Sequence, residues 1–423
     1  MARPSQVLAP ASTGTALYQE RVNPQWVRLL DVLQMNARYM RCEGTELFTE
    51  DGRRILDFSG VHNLGHNHPA VVEAIKDELD RRGPAMLQSH APLLAGQLAD
   101  KLCWRAGGRM NKAFFCSSGS EAVEAASKFS RAHTRRSGLL YAEGGPMLPD
   151  TETIPFGNLE ALERKLASKR FAAFIVEPVQ GEGGVRVPSA SYLENVQALC
   201  RRHRTLFVAD EVQTSLYRTG RFLASHHYNL EPDMIVLAHA LSGGLIPSAA
   251  LLLSDEVARA IVHTSMYSEN GLAMRAGLAT LEALEREHLG DRACSAGDYL
   301  RSRLREALAG YEMVKEVRGL GLFNGMEFQP PRKLALRVSF EAFGKIHPGM
   351  FGQVVVMRLF RHGFLTQMCG NNFMVLKVSP PLVVKEREAD DFVHAVRDVV
   401  EMMHSSATFW TEAMGLARRV LHI

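Results

Sequence analysis

EPDMIVLAHALSGGLIPSAALLL, residues 231–253, holds an apolar run from Met234 to Leu237, a turn carrying His239, a Ser-Gly-Gly loop and a second apolar run. Short continuous apolar runs bounded by turn residues read as strands buried on both faces, the kind found inside parallel sheets. Upstream the same texture repeats. KAFFC (112–116), LLYAE (139–143), FAAFIVE (171–177) and TLFVAD (205–210) read as strands, and EAVEAASKFSRAH, NLEALERKLASK and SYLENVQALCRRH between them read as amphipathic helices. Strand–helix alternation of this kind predicts a mostly parallel sheet covered on both faces, with ligands bound beyond the carboxyl ends of its strands.

Toward the amino end, LFTEDGRRILDF predicts a hairpin turning at Asp51-Gly52, and PAVVEAIKDELDRR a helix with Pro69 in its first turn. Residues 1–24 read as an arm with little structure of its own. After residue 290 the pattern becomes a helix, a strand pair (MVKEVRG, LFNGMEF), a helix (FGQVVVMRLF), a strand (FMVLKV) and a final helix. This predicts four segments: an arm with a small-domain piece (1–65), a large α/β domain (66–290), a smaller α+β domain (291–405) and a tail (406–423). In the tail, Phe409, Trp410, Met414, Leu416, Val420 and Leu421 partly follow helical spacing, as a helix packed on its own domain or as a contact surface.

With 423 residues, 46% apolar and a net charge of +3, the chain can bury a large core but lacks the basic excess that nucleic acid or an anionic membrane would require. Its six cysteines form no CxxC pair, so neither a disulfide framework nor a metal site is read from them. No secretory signal and no spanning segment is apparent, which predicts a cytoplasmic protein.

Two short motifs carry chemistry. Ser118-Gly119-Ser120 lies between a strand and a helix, where backbone N–H groups can hold an anion or Ser118 can simply cap the helix. FVADEVQT ends a strand on Asp210 and Glu211. In the order SGSEA, EPVQGEGG, ADEVQT and the 239 turn, the chain resembles the class III (ornithine-type) pyridoxal-phosphate aminotransferases of fold type I over residues 25 to 405.

The resemblance implies that Ser118, Gly119 and Ser120 cradle the cofactor phosphate, that Asp210 pairs with the pyridine nitrogen, that Val212 packs on the ring and that Gln213 approaches its hydroxyl. Glu182 stands where ornithine-type enzymes place a gate glutamate, and Lys377 where many relatives grip a substrate carboxylate with arginine. His239 stands at the position of the lysine that holds the cofactor covalently, a bond that imidazole cannot form. Two further departures fall on the pocket: Met266 replaces a usual threonine, and segment 141–156 is shortened and keeps only Gly144-Gly145 of an aromatic-His-Gly turn. Two other segments are trimmed as well (57–69 and 254–265).

These features imply a homodimeric aminotransferase relative, impaired or inactive, that binds pyridoxal or pyridoxamine 5'-phosphate non-covalently if at all. Its substrates, if active, would be an amine or amino acid and a 2-oxo acid. The alternatives are an ordinary aminotransferase, a pyridoxamine-phosphate-dependent lyase or dehydratase with His239 as base, and a non-catalytic binding, interaction or partner-subunit protein.

Overall fold

A computed structural model describes residues 14–60, 62–84, 90–145, 151–260, 268–334, 336–338, 340–341, 348–405 and 407–421. The chain opens with helices α1 (Gly14–Arg21) and α2 (Pro24–Val32), then strands β1 (Tyr39–Glu43), β2 (Glu46–Thr49) and β3 (Arg54–Asp57). The expected hairpin is present: Leu47 pairs with Ile55 and Phe48 with Arg54, and the turn passes through Gly52 at φ +81°. The expectation of an unstructured arm is corrected over residues 14–21, which are helical; the run TALYQER contains good helix formers even though the residues of α1 with defined burial are exposed.

Helices α3 (Pro69–Arg81) and α4 (Leu93–Ala106) lead into the central alternation. This consists of β4 (Lys112–Cys116), α5 (Gly119–Thr134), β5 (Gly138–Ala142), β6 (Glu152–Ile154), α6 (Leu159–Ala167), β7 (Phe171–Val176), α7 (Ala190–His203), β8 (Leu206–Asp210), β9 (Met234–Leu237) and β10 (Ala249–Leu253). The seven strands order as β4-β10-β9-β8-β7-β5-β6. Every pair from β9 to β6 is parallel, and β10 alone runs against its neighbours. Every residue of β7, β8, β9 and β10 is buried, which is why these strands read as unbroken apolar runs rather than alternating ones. The α/β fold with a mostly parallel sheet is therefore as the sequence predicts, with β6 added as an edge strand from the shortened 141–156 segment.

Helices α8 (Asp255–Ala258), α9 (Gly271–Arg286) and α10 (Leu289–Ala307) follow. Beyond them lie β11 (Val314–Leu320), β12 (Phe323–Phe328), α11 (Met350–Arg361), β13 (Phe364–Leu365), β14 (Gln367–Cys369), β15 (Asn372–Val378), α12 (Glu386–Ser405) and α13 (Ala407–Leu421). Strands β11-β12-β15-β14 form an antiparallel sheet, and β13 returns to join β1-β2-β3. Within the tail, Phe409, Trp410 and Leu416 are buried, and Trp410 Nε1 donates to the Met403 carbonyl at 3.1 Å. That face of α13 packs on its own chain, while Met414 is exposed. Among the described residues no helix is long and apolar enough to cross a membrane.

Candidate active site

The parallel strands deliver their following residues to one edge: Ser117 to Ser120 after β4, Glu177 after β7, Asp210 at the end of β8, and His239 two residues beyond β9. The reversed strand β10 begins at the same edge with Ser248. Together with Glu182, Val212, Gln213, residues 244–247 and Asn371 they line a cavity of about 780 Å³. The structure thus brings together eight of the nine residues named from the sequence. The ninth, Lys377, lies buried on β15 and reaches the group through hydrogen bonds.

At the amino end of α5, Ser118 is the cap: its Oγ accepts from the Glu121 N–H at 3.2 Å, and Glu121 Oε2 accepts from the Ser117 N–H at 2.8 Å. The capping role foreseen for Ser118 therefore holds, and the same geometry points the first amides of α5 toward the cavity edge. Gly119 is required by close approach, because a Cβ there would stand 3.2 Å from Val212 Cγ1 and 3.3 Å from Ala238 Cβ.

His239 sits at φ 60°, ψ −77°, with the Ala240 N–H donating to the Ala238 carbonyl at 2.8 Å. This is a γ-turn of the rare positive-φ kind, a strained conformation for a residue with a side chain, costing about 1–3 kcal/mol. The turn projects the imidazole out of the apolar strand end, so His239 is exposed to the cavity rather than packed in the core. The ring makes no hydrogen bond among the described residues. Although it is reached from the cavity, the surrounding walls remove enough water to lower its pKa, and the charge of Lys377 acts in the same direction. His239 is therefore neutral at physiological pH.

Glu177 was missed by the sequence reading. The signal was present: FAAFIVE and TLFVAD both end on an acid, and β7 and β8 pair in parallel with Val176 beside Ala209, so the two carboxyl groups emerge side by side. Glu177 Oε2 accepts from the Gly181 N–H at 2.9 Å, while Oε1 is buried without a partner. Burial, and then the neighbouring Asp210, push the Glu177 pKa far above the carboxylate range. Burial also raises that of Asp210, against the opposing Val212 N–H bond at 3.1 Å. A raised carboxyl pKa favours the protonated form in the folded state, so its contribution to stability is complete below the ordinary value of 4.5 and is lost as pH rises toward about 8. Glu177→Gln is expected to flatten that decline, leaving the cofactor-free variant more stable than wild type at pH 8 by on the order of 3 kcal/mol. Urea unfolding at pH 5 and pH 8 measures it; parallel pH dependences in the two proteins would refute it.

Across the cavity, Lys377 Nζ donates to Glu182 Oε1 at 2.5 Å and to Gln213 Oε1 at 3.2 Å, and Glu182 Oε2 accepts from the Gly370 N–H at 2.6 Å. The Lys377 charge, with these hydrogen bonds, holds the Glu182 pKa below its ordinary value despite burial. Gln213 in turn packs on Gly181, where a Cβ would fall 2.6 Å from its Nε2. Gly144 and Gly145 border this region: a Cβ on Gly145 would meet Glu177 Oε1 at 3.2 Å. Met266, part of the trimmed 254–265 loop and residues 146–150 of the shortened segment lie outside the described residues.

The model for the family "Aminotransferase class-III" matches residues 30–145 and 146–400. The aminotransferase PigE of Serratia sp. is 32% identical over 91% of this chain, which spans about half of that protein (53%). The acetylornithine aminotransferase of Methanocaldococcus jannaschii is 34% identical over 84% of this chain and 92% of its own length. Among solved structures, the ornithine δ-aminotransferase of Plasmodium falciparum superposes with a TM-score of 0.77 at 30% identity, covering 88% of this chain and 94% of that one. Matched by the family model over most of its length and by relatives of the same architecture, this chain belongs to the class III aminotransferases, a pyridoxal-phosphate-dependent family of fold type I.

Proposed function

We propose that this chain is a class III aminotransferase homologue that holds pyridoxal or pyridoxamine 5'-phosphate without a covalent tether and is impaired in amino-group transfer between an amine or amino acid and a 2-oxo acid. One observation carries the reading: among the described residues no lysine lines the cavity, and the strained turn at its floor presents His239. Lys377, which bonds to two residues of the lining, is engaged by Glu182 and Gln213.

The residues present fit the cofactor. The α5 amino end with Ser118, Gly119 and Ser120 offers N–H and O–H donors to a phosphate. The buried Asp210 offers an acceptor suited to a protonated ring nitrogen, with the unpartnered Glu177 Oε1 beside it. When bound, the cofactor supplies an electron-accepting ring. Asp210 would keep the ring nitrogen protonated, Val212 would bear on its face, and Gln213 would orient its hydroxyl. His239, neutral and facing the cavity, would take and return the proton at the substrate carbon, and the Glu182–Lys377 pair would meet the far end of the substrate. The same reading includes a homodimer, supported by exposed Leu17, Tyr18, Trp26, Leu93 and Trp104; a one-chain mass by light scattering would exclude it.

Soaking with each cofactor form separates the possibilities. We expect saturable binding, no borohydride-trapped adduct on any lysine by mass spectrometry, and weak half-transamination with ornithine, 4-aminobutyrate and alanine. A trapped lysine adduct or fast turnover would sink the proposal. Asp210→Asn is expected to weaken cofactor binding by about 10- to 100-fold, the loss of one charge-assisted bond; unchanged affinity by fluorescence titration would remove Asp210 from this role. A second reading, a pyridoxamine-phosphate-dependent lyase or dehydratase, is favoured by the neutral, cavity-facing His239 as a ready base. It requires elimination of water from a hydroxylated substrate in the presence of pyridoxamine phosphate, abolished in His239→Ala.

A further inference from the structure

We propose that Asp57, His62 and His66 form a binding site for a divalent transition-metal ion of the zinc class, set one layer behind the cavity. The proposal is independent of the cofactor reading. One ligand atom from each of the three side chains lies within 4.8 Å of the others. His66 Nε2 and Asp57 Oδ2 are 2.9 Å apart. Donors at about 2.0–2.2 Å from a metal, with angles of about 90–110°, stand roughly 2.9–3.5 Å from one another, so this pair is already spaced for ligation. The His62 ligand atom, within 4.8 Å of the other two, would close any remaining gap by side-chain rotation.

The Asp57–His66 pair alone could be an ordinary buried hydrogen bond. His62 is what that account leaves unexplained. Its ring lies 4.1 Å from the His66 ring between centroids, tilted by 45°, and its Nδ1 is buried with no hydrogen-bond partner. A buried imidazole nitrogen without a partner is costly, and a cation within its reach would satisfy it. Two imidazoles and one carboxylate form a set that suits zinc, cobalt, nickel or ferrous iron over magnesium or calcium, and three protein ligands leave a position for water.

The surroundings fix the ligands in advance. The Ser59 N–H and Oγ both donate to Asp57 Oδ1, at 2.9 and 2.6 Å, and so orient the carboxylate from outside. The His66 backbone is held to Gly44 by a reciprocal pair of hydrogen bonds at 2.8 and 3.0 Å. Asn63, next to His62, donates to the Leu216 carbonyl at 2.9 Å and accepts from Arg218 Nη2 at 2.7 Å. Gly244, which lines the cavity, leaves room for the ring: a Cβ there would stand 2.2 Å from His62 Nδ1. The cysteine spacing pointed to no metal, and the two histidines come together with Asp57 only because the 57–66 segment folds back against β1.

The test is calorimetric titration of tag-free, chelator-treated full-length protein with Zn²⁺, with Mg²⁺ as comparison and Co²⁺ absorption as a reporter of ligand geometry. The expected result is one Zn²⁺ per chain, no heat from Mg²⁺, and a visible Co²⁺ band. His62→Ala should weaken Zn²⁺ by at least about tenfold and abolish the band. His62→Phe, which keeps ring volume, should do the same while circular dichroism shows it folded. No Zn²⁺ uptake by the wild type, or unchanged uptake in either folded variant, would overturn the proposal.

Discussion

Replacing His239 with lysine is expected to give a visible-absorbing, borohydride-fixable adduct at residue 239 and to raise half-transamination by about 10²- to 10⁴-fold, the usual value of a positioned acid–base group, with covalent participation adding to it. The γ-turn already aims this side chain into the cavity, so a longer primary amine would project among Ser118, Asp210 and Gln213. The desolvation and the Lys377 charge that lower the imidazole pKa would act on an ammonium in the same direction, favouring the nucleophilic free amine. Absorption spectra, peptide mass spectrometry after borohydride and single-turnover rates measure the outcome. An adduct without a rate gain would place the remaining defect in the shortened 141–156 segment. Neither adduct nor gain would mean that the cofactor does not bind as proposed.

Arg218→Met is expected to destabilise the fold by about 3–5 kcal/mol, the cost of leaving buried hydrogen-bond acceptors unsatisfied. Arg218 is fully buried and, among the described residues, makes no ion pair; burial lowers its pKa to about 10. It is held by the Leu322 carbonyl at 3.2 Å, the Pro380 carbonyl at 2.5 Å and Asn63 Oδ1 at 2.7 Å. These acceptors come from three distant parts of the chain: the segment leading to α3, the β11–β12 turn, and the loop after β15, which carries Lys377. Methionine keeps most of the volume but leaves all three acceptors unsatisfied, each worth about 1–3 kcal/mol. Urea unfolding gives the stability, and a midpoint within error of wild type would show that water replaces the guanidinium.

The strands of the large sheet were readable because burial on both faces leaves no polar alternation, and FAAFIV, LFVA and MIVL are unbroken apolar runs. Their parallel order followed from the helices between them. Strand β6 was missed because its three residues carry no periodic signal, and α1 because a helix with little packing looks like an arm in sequence. Of the candidate site, Ser118 to Ser120 and Asp210 stood at strand ends in the motif order, and their roles, with that of Gln213, came from the resemblance that this order carried. Glu177 was overlooked although its strand ends as Asp210's does, since a lateral neighbour across a parallel pair becomes visible only once register is known.

By itself the sequence determined the layered α/β architecture, the sheet edge where a ligand would bind and the histidine at 239, because apolar runs, helix periodicity and residue identity are local properties. Only the tertiary structure decided that His239 faces the cavity from a strained turn instead of filling the core, that Glu177 shares its burial with Asp210, and that Lys377 is already bound to Glu182 and Gln213. Those are matters of desolvation and charge proximity, which depend on groups far apart in the chain and take values only when folding brings them together.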